Sequence, residues 1–130
     1  MSESFKLEII SPDAVVIKSE ANEVSIPAYE GQITILKDHI SLLTFLRPGF
    51  ISVNQDKVIE TFFIEEGTVE FSKNNLLILS STAINIKDLK ESTKEKIIKE
   101  SKDLLNDSKI TDKDRYVLSY KVDTLQQINK

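Results

Sequence analysis

The side chains that could perform chemistry are few in this chain, and they stand apart from one another. His39 is the only histidine, and it directly follows Asp38. A histidine beside a carboxylate can act as a general base, but no nucleophile, second histidine or oxyanion loop accompanies it. We therefore interpret His39 as a residue that makes a structural hydrogen bond or contacts a partner.

The other residue types used in catalysis give no stronger signal. Glu65 and Glu66 are paired carboxylates, but adjacent strand residues point to opposite faces, so a turn before Gly67 is the better interpretation. The absence of cysteine excludes disulfides, thiolate zinc sites and a thiol nucleophile. Gly31 stands alone, without the glycine spacing of a phosphate-binding loop. The sequence therefore predicts a chain that is not an enzyme by itself.

Composition and charge narrow the classes of partner. The 130 residues are 40% hydrophobic, which favours a folded protein over a disordered one. A net charge of −4 argues against nucleic acid as the main partner. No apolar run approaches the roughly 18 residues that a membrane span needs, and the first residues show no signal peptide. We expect contact with a membrane only through a protein partner.

The chain changes character near residue 86. All three prolines and all three glycines precede residue 68. Residues 1–86 carry 6 basic and 12 acidic groups, whereas residues 87–130 carry 11 and 9. The predicted organisation is therefore a first domain at residues 1–86 and a second domain at residues 87–130.

The first part has the pattern of short strands. Phe5, Leu7 and Ile9 alternate with their neighbours at a period of two, and similar runs recur between turn signals. The dipeptide Asn74-Asn75 is typical of a tight hairpin turn. The apolar run at residues 76–79 suggests a strand buried on both faces. Eight to ten such strands predict an antiparallel β-sandwich.

The second part has the pattern of two amphipathic helices. Asn85 is typical of a capped start to the first helix, with Asp88 in its first turn. Thr111 stands three residues before Asp114, as at the start of a second helix. The apolar stripes are narrow, so we expect the helices to pack mainly on each other in an αα-hairpin that could detach at modest cost. The stripes comprise Leu89, Ile97, Ile98, Ser101, Leu104 and Leu105, then Leu118, Val122 and Leu125. The predicted fold class is α+β.

The stretch from residue 27 to residue 49, PAYEGQITILKDHISLLTFLRPG, resembles the signature of the epsilon subunit of bacterial F-type ATP synthase, the equivalent of the mitochondrial delta subunit. The likeness extends over nearly the whole chain. It departs at Lys37, where the family usually has proline. The matching positions are Pro27, Glu30, Gly31, Ile35, Leu36, His39, Leu42, Leu43, Thr44, Leu46, Pro48 and Gly49.

This resemblance implies a central-stalk (rotor) subunit that links the gamma subunit to the c-ring, on the cytoplasmic face of the bacterial inner membrane. It implies a c-ring-facing loop made of Tyr29, Glu30, Gly31 and Gln32. It also implies gamma-subunit contacts at Ser11, His39 and Thr44. Contacts of the hairpin with the alpha and beta subunits, which would regulate ATP hydrolysis, are implied for Lys113, Arg115 and Lys121.

The resemblance does not extend to the ATP-binding motif that some members of the family carry at the start of the first helix. Lys87 separates Ile86 from Asp88, and Glu91 stands where that motif has arginine. A carboxylate at that point repels phosphate. Asp88 and Arg115 remain the candidates for such a site, and no cofactor is expected.

Two other interpretations stay open at this point. The chain could be a free-standing β-sandwich module that binds a protein through its helical hairpin, or a small nucleotide-responsive sensor. Co-purification with a large membrane-associated ATPase would separate the first from a stalk subunit, and ATP binding would identify the second. The opposite net charges of the two parts favour a hairpin held down on the sandwich. Because the ATP-binding motif is not matched, we expect little response to ATP and weak inhibition.

Overall fold

Within residues 3–128, ten strands account for most of the chain as far as residue 85, and two helices follow them. The computed structural model describes residues 3–128. The predicted α+β class, a strand-rich part followed by a helical hairpin, is confirmed. In chain order the elements are β1 (Phe5–Ile10), β2 (Val15–Ala21), β3 (Glu23–Ala28), β4 (Gly31–Leu36), β5 (Leu42–Leu46), β6 (Gly49–Gln55), β7 (Val58–Ile64), β8 (Gly67–Ser72), β9 (Asn75–Leu79), β10 (Ile84–Asn85), a 3-10 helix (Ile86–Asp88), α1 (Glu91–Leu105) and α2 (Asp112–Gln126).

The strands form one continuous sheet that folds over itself into a sandwich. Its order is β10-β7-β6-β3-β5-β8-β9-β1-β2, and β4 pairs with the other side of β3. The two halves are joined by a single residue pair, Ala28 with Leu46. The ladders are antiparallel except that of β1 and β9, which is parallel. The β3–β4 turn and the β5–β6 connection both lie next to this residue pair.

The interior of the sandwich follows from the period of two. On β1, Phe5, Leu7 and Ile9 are fully buried while the residues between them are not. The same alternation on β3, β6, β8 and β9 fills the space between the two halves with aliphatic and aromatic side chains. Burial of this kind is the main term that stabilises a domain of this size.

The β8–β9 hairpin corrects two details of the sequence interpretation. Its two turn residues are Lys73 and Asn74, with φ of 51° and 62°, so the turn begins one residue earlier than predicted. Such values match the turns that fit the twist of a two-residue hairpin. On β9 the apolar run is not buried on both faces, since Leu79 is 45% exposed. Only Leu76 and Ile78 face the interior.

The 3-10 helix and α2 begin with a side-chain cap, whereas α1 does not. Asn85 accepts a hydrogen bond from the Lys87 amide, 3.0 Å, but it caps the 3-10 helix and not α1. α1 starts at Glu91 without a side-chain cap. The predicted cap at Thr111 is confirmed, because its hydroxyl accepts from the Asp114 amide at 3.0 Å. The proposed boundary between residues 86 and 87 falls inside the 3-10 helix and remains a prediction.

The hairpin packs on the sheet as well as on itself. A second apolar cluster joins Phe63 of β7 to Leu89, Leu125 and Ile128, with Phe50 and Ile97 at its edge. The two helices pack mainly on each other, as expected, and the stripe of α2 also reaches the outer face of the sheet. On α1, Leu104 is 51% exposed, and Ser101 is the residue that is fully enclosed. None of the helices within residues 3–128 is long and apolar enough to cross a membrane.

Candidate functional site

An apolar stripe runs along the outer face of β5. Leu42, Thr44 and Leu46 turn toward the body of the sandwich, so Leu43 and Phe45 turn away from it. Leu43 is 74% exposed and Phe45 is 63% exposed. Ile40, just before the strand, is 79% exposed. We call Ile40, Leu43 and Phe45 the apolar stripe. Large apolar side chains gathered on one exposed surface are typical of a protein–protein contact.

Analysis of the sequence missed both β5 and the stripe. A strand is recognised by the alternation of apolar and polar residues, and the segment LLTFL is apolar on both faces. The signal that could have located it is the buried polar residue Thr44 at the centre of the run. Its hydroxyl marks the inward face, which leaves Leu43 and Phe45 for the outward one.

Thr44 supports the neighbouring loop and does not present its hydroxyl at the surface. It is 6% exposed. Its Oγ1 donates to the Glu30 carboxylate, at 3.0 Å from Oε1 and 3.1 Å from Oε2. Thr44, expected to contact the gamma subunit, and Glu30, expected to face the c-ring, are therefore in contact with each other. Because Thr44 faces inward, a gamma subunit docked on this strand would contact the exposed neighbours Leu43 and Phe45 and not the Thr44 hydroxyl.

His39 lies at the opposite end of β5, beside Ile40 of the stripe. One ring nitrogen lies 2.8 Å from the Ile40 carbonyl oxygen. The ring meets the edge of Phe71 with 6.0 Å between centroids. Its backbone amide donates to the Leu36 carbonyl, 3.1 Å. This is the structural hydrogen bonding expected for His39, and the half-buried ring still borders the stripe.

A reciprocal pair of hydrogen bonds holds the turn before His39. The Asp38 amide donates to Asn74 Oδ1 at 2.7 Å, and Asn74 Nδ2 donates to Asp38 Oδ1 at 2.9 Å. Asp38 has a φ of 66°, a conformation that aspartate tolerates better than most residues. The turn is thus fixed to the β8–β9 hairpin without the proline that Lys37 replaces.

Ser11 closes a turn of its own. Its hydroxyl donates to the Ala14 carbonyl at 3.1 Å and accepts from the Ala14 amide at 3.2 Å. It lies at the end of β1, while His39 lies at the start of β5. The structure therefore does not bring Ser11, His39 and Thr44 together into one patch. A contact of Ser11 with the gamma subunit remains a prediction.

The residues expected to face the c-ring form the tip of the β3–β4 hairpin. We call residues 29–32 the tip loop. Tyr29 and Glu30 make the turn, and Gly31 has a φ of 134° that side-chain-bearing residues rarely adopt. A Cβ atom on Gly31 would meet nothing within 4 Å, so the requirement for glycine comes from the backbone alone. Gln32 follows on β4 and is exposed.

The tip loop contacts α2, which the sequence did not indicate. The Tyr29 ring stacks on Tyr116 with 5.8 Å between centroids and 16° between planes. The Tyr116 hydroxyl donates to the Tyr29 carbonyl, 3.3 Å. Burial, followed by the neighbouring Tyr120 phenol, raises the pKa of Tyr116 above its ordinary value of 10.0. A groove of about 850 Å³ lies beside this contact, between Phe45 and Lys113.

The three cations expected to contact alpha and beta subunits have different surroundings. Lys121 Nζ lies 2.7 Å from the Glu65 carboxylate, an ion pair between α2 and the sandwich. Arg115 donates to the Leu105 carbonyl, 3.2 Å, at the end of α1. Lys113 borders the groove. In this conformation Lys121 and Arg115 are engaged within the chain, and their contact with other subunits remains a prediction.

Asp88 and Arg115 do not meet. Asp88 precedes α1, and Arg115 bonds to the last residue of that helix. Fifteen residues of helix rise about 22 Å, at 1.5 Å per residue. Asp88 borders a separate groove with Glu60 and Asn85.

The paired carboxylates Glu65 and Glu66 also have separate partners. Glu65 pairs with Lys121, whereas Glu66 accepts from the Ser81 hydroxyl at 2.8 Å. The predicted turn at these two residues is confirmed.

Comparison with known proteins matches both parts of this architecture. Residues 4–86 match the family model described as ATP synthase, Delta/Epsilon chain, beta-sandwich domain. The ATP synthase epsilon chain of Pelagibacter ubique is 38% identical over 130 residues, covering 99% of this chain and 100% of the relative. The corresponding chain of Sulfurimonas denitrificans is 34% identical over 105 residues, 80% of this chain and 81% of the relative.

Two solved structures share the fold. A chain of the Euglena gracilis mitochondrial ATP synthase, determined as an OSCP/F1/c-ring assembly, aligns with a TM-score of 0.75 at 14% identity, covering 97% of this chain and 79% of that one. A chain of the Tetrahymena thermophila mitochondrial ATP synthase central stalk and c-ring aligns with a TM-score of 0.64 at 13% identity, covering 98% of each. The Pelagibacter ubique relative covers 99% of the chain, and the family model covers its sandwich. The chain therefore belongs to the delta/epsilon chain family of ATP synthase.

Proposed function

We propose that this chain is a non-catalytic subunit of the central stalk of a proton-translocating F-type ATP synthase. In that role it links the gamma subunit to the c-ring. Membership of the family and the names of the relatives support the assembly. The chemistry of ATP synthesis then belongs to other subunits, in keeping with the scattered titratable groups of this chain.

The apolar stripe is the observation that carries the gamma contact. Leu43 and Phe45 point out of a strand whose other face is packed against the sandwich. A strand held in this way presents the two side chains without a further loss of backbone freedom on binding. We assign the stripe as the surface that docks on the gamma subunit, with His39 at its edge. Docking on the gamma subunit would remove from water the apolar side chains that the free chain leaves exposed.

The tip loop is the part of the chain that we assign to the c-ring. It is polar at Glu30 and Gln32, and it projects from the end of the sandwich. The hydrogen bonds from Thr44 orient Glu30, so a rigid β-body sets the position of the loop. A stiff body between two contacts suits a part that transmits torque. The chain would then lie peripherally on the cytoplasmic face of the bacterial inner membrane, attached through the complex.

A free-standing binding module would use the same stripe. The relatives are named as ATP synthase chains over the full length of this chain, so this alternative is not favoured. Both functions predict that a protein covers Leu43 and Phe45. They differ in the partner, which for a stalk subunit is the gamma subunit of the same complex.

The test compares two pairs of exposed apolar residues. In the first variant, Leu43→Ser and Phe45→Ser remove the two members of the stripe that lie on β5. In the matched control, Val58→Ser and Ile59→Ser alter the β6–β7 hairpin, where the two side chains are 66% and 60% exposed. The readout is the amount of purified gamma subunit retained by each immobilised chain, after thermal unfolding has shown that the variants fold.

We expect the stripe variant to lose about tenfold or more in affinity for the gamma subunit, since buried aromatic and aliphatic anchors dominate such interfaces. The control should bind as the natural chain does. Equal binding by both variants would contradict the assignment of the stripe. Failure of the natural chain to bind gamma at all would contradict the proposed function itself.

A further inference from the structure

Four side chains at the junction of sandwich and hairpin form a continuous stack. Tyr29 of the tip loop stacks on Tyr116 of α2, and Tyr116 meets the edge of Tyr120 with 4.8 Å between centroids. The Arg47 guanidinium carbon lies 4.0 Å above the centre of the Tyr120 ring. The order is therefore loop, helix, helix, sandwich, and each end of the stack belongs to the β-body.

The stack has supports on both sides. Tyr116 and Tyr120 are four residues apart on α2, so one helix face presents both rings. Arg47 is held in place by its own hydrogen bonds. Its Nη1 donates to the Pro48 carbonyl at 3.1 Å and its backbone amide to the Pro27 carbonyl at 3.0 Å. Arginine stacks on aromatic rings in this manner because its guanidinium is planar and weakly hydrated.

The tip loop depends on the hairpin for part of its surroundings. The ring of Tyr29 packs on Tyr116, and the carbonyl of the same residue accepts from the Tyr116 hydroxyl. Further support of the loop comes from β5, through Thr44 and through the Tyr29 amide, which donates to the Phe45 carbonyl at 3.2 Å. Hairpin docking therefore adds order to a loop that β5 and the pairing of β3 with β4 already position.

The two halves of α2 are held differently. Near its end, Leu125 is fully buried in the cluster with Phe63. Near its start, Tyr116 is 36% exposed, and Tyr29, which stacks on it from the tip loop, is 37% exposed. The stack is thus more open than the apolar cluster, and water can reach it without prior exposure of that cluster. Lightly buried contacts are the ones that open first in local unfolding.

We propose that Tyr29, Arg47, Tyr116 and Tyr120 form a latch that couples the conformation of the tip loop to the docking of the hairpin. Coupling between two sites is reciprocal. Docking of α2 orders residues 29–32, so a partner that binds the loop in this conformation strengthens docking by the same factor. The consequence for assembly rests on the proposed function of the loop, whereas the coupling within the chain does not.

The coupling is testable on the isolated full-length chain by amide hydrogen exchange. Tyr29→Ala removes the loop end of the stack, and Tyr116→Ala removes the helix end. Each has a control on its own element that changes an exposed side chain outside the stack, namely Gln32→Ala in the loop and Gln126→Ala in α2. Exchange is read at residues 29–32 and at residues 112–120 in all four variants.

We expect each tyrosine variant to raise exchange in both segments. Tyr29→Ala loses one aromatic contact and should raise it about 2- to 12-fold, and Tyr116→Ala, which loses two ring contacts and a hydrogen bond, should raise it at least as much. The decisive result is the remote one, in which Tyr29→Ala accelerates exchange in α2 and Tyr116→Ala accelerates it in the loop. The controls should leave the remote segment unchanged. Acceleration confined to the altered element would overturn the latch, whether or not the chain binds a gamma subunit.

A second pair of variants keeps the test informative if truncation to alanine unfolds the chain. Tyr116→Leu retains apolar bulk but loses the ring and the hydroxyl, and Arg47→Lys retains the charge but loses the planar group. Both should accelerate exchange in the tip loop and in α2 together. If either variant leaves both segments at the natural rate, aromatic stacking does not couple them and the proposal fails.

Discussion

Gly49 and Pro27 lie in direct contact, although 21 residues separate them in the sequence. A Cβ atom on Gly49 would lie 2.6 Å from the Cβ and 2.9 Å from the Cγ of Pro27. Real side chains do not approach so closely, and both residues are buried where β6 begins beside the end of β3. The absence of a side chain at position 49 therefore allows β6 to begin close beside the end of its neighbouring strand β3.

This contact predicts the effect of Gly49→Ala. The added methyl group overpacks the contact with Pro27, which should lower the free energy of unfolding by about 1–3 kcal/mol. Urea denaturation measures the loss. In a Pro27→Gly background, where the opposing Cβ is absent, the same substitution should cost much less. Equal costs in the two backgrounds would show that Pro27 is not what excludes a side chain at position 49.

Thr44→Val should disorder the tip loop with little effect on overall stability. Valine keeps the buried volume, and the exposed Glu30 carboxylate can bind water again, so the free energy of unfolding should change by less than about 1 kcal/mol. Amide exchange at residues 29–32 should rise. Thr44→Ser, which keeps the donor, should restore the natural rate. A large loss of stability in Thr44→Val would instead make the hydroxyl part of the core.

Two leucines of the hairpin should respond differently to truncation. Leu125→Ala leaves a cavity beside Phe63 and should cost about 2–5 kcal/mol. Leu104→Ala, at a 51% exposed position, should change stability by less than about 0.5 kcal/mol. Chemical denaturation of the two single variants makes the comparison. Similar costs would mean that α2 does not dock on the sheet as described.

Removal of residues 87–130 tests the independence of the first part. We expect residues 1–86 to unfold cooperatively and still to bind the gamma subunit, since the main core lies within the sandwich. The hairpin, however, covers Phe50 and Phe63 on the outer face of the sheet. The shortened chain should therefore bind an apolar dye and self-associate more than the natural chain. Absence of a cooperative transition would contradict the division into two domains.

The raised pKa of Tyr116 predicts a weakening of the hairpin contact in alkali. Burial, and then Tyr120, favour the protonated phenol in the folded chain. The folded chain holds this proton more tightly than the unfolded chain, so stability falls as the pH rises from about 10 through the raised pKa. Absorbance of the phenolate against pH, compared between the natural chain and Tyr116→Phe, isolates this group. We expect the variant to lose the phenol that titrates above pH 10. Loss of a phenol that titrates below pH 10 would mean that folding lowers the pKa of Tyr116 and does not raise it.

The sequence by itself determined most elements of this protein and their class, although not β5. Period-two runs, turn residues and the cap at Thr111 are local patterns, and local sterics and hydrogen bonds are sufficient to specify them. Two of the errors were also local in kind. The turn after β8 began one residue earlier, and Asn85 capped a 3-10 helix, because the ends of elements are specified to only one or two residues.

Only the tertiary structure decided which surfaces remain for partners. Thr44 meets Glu30 across 14 residues, and Tyr116 meets Tyr29 across 87. Periodicity reports whether a face is apolar, but it does not report what covers that face. On β5 both faces are apolar, and pairing with β8 and β3 turned Leu43 and Phe45 outward. Burial is settled by long-range packing, which depends on all the elements together, and this is why the apolar stripe and the aromatic latch emerged only from the folded chain.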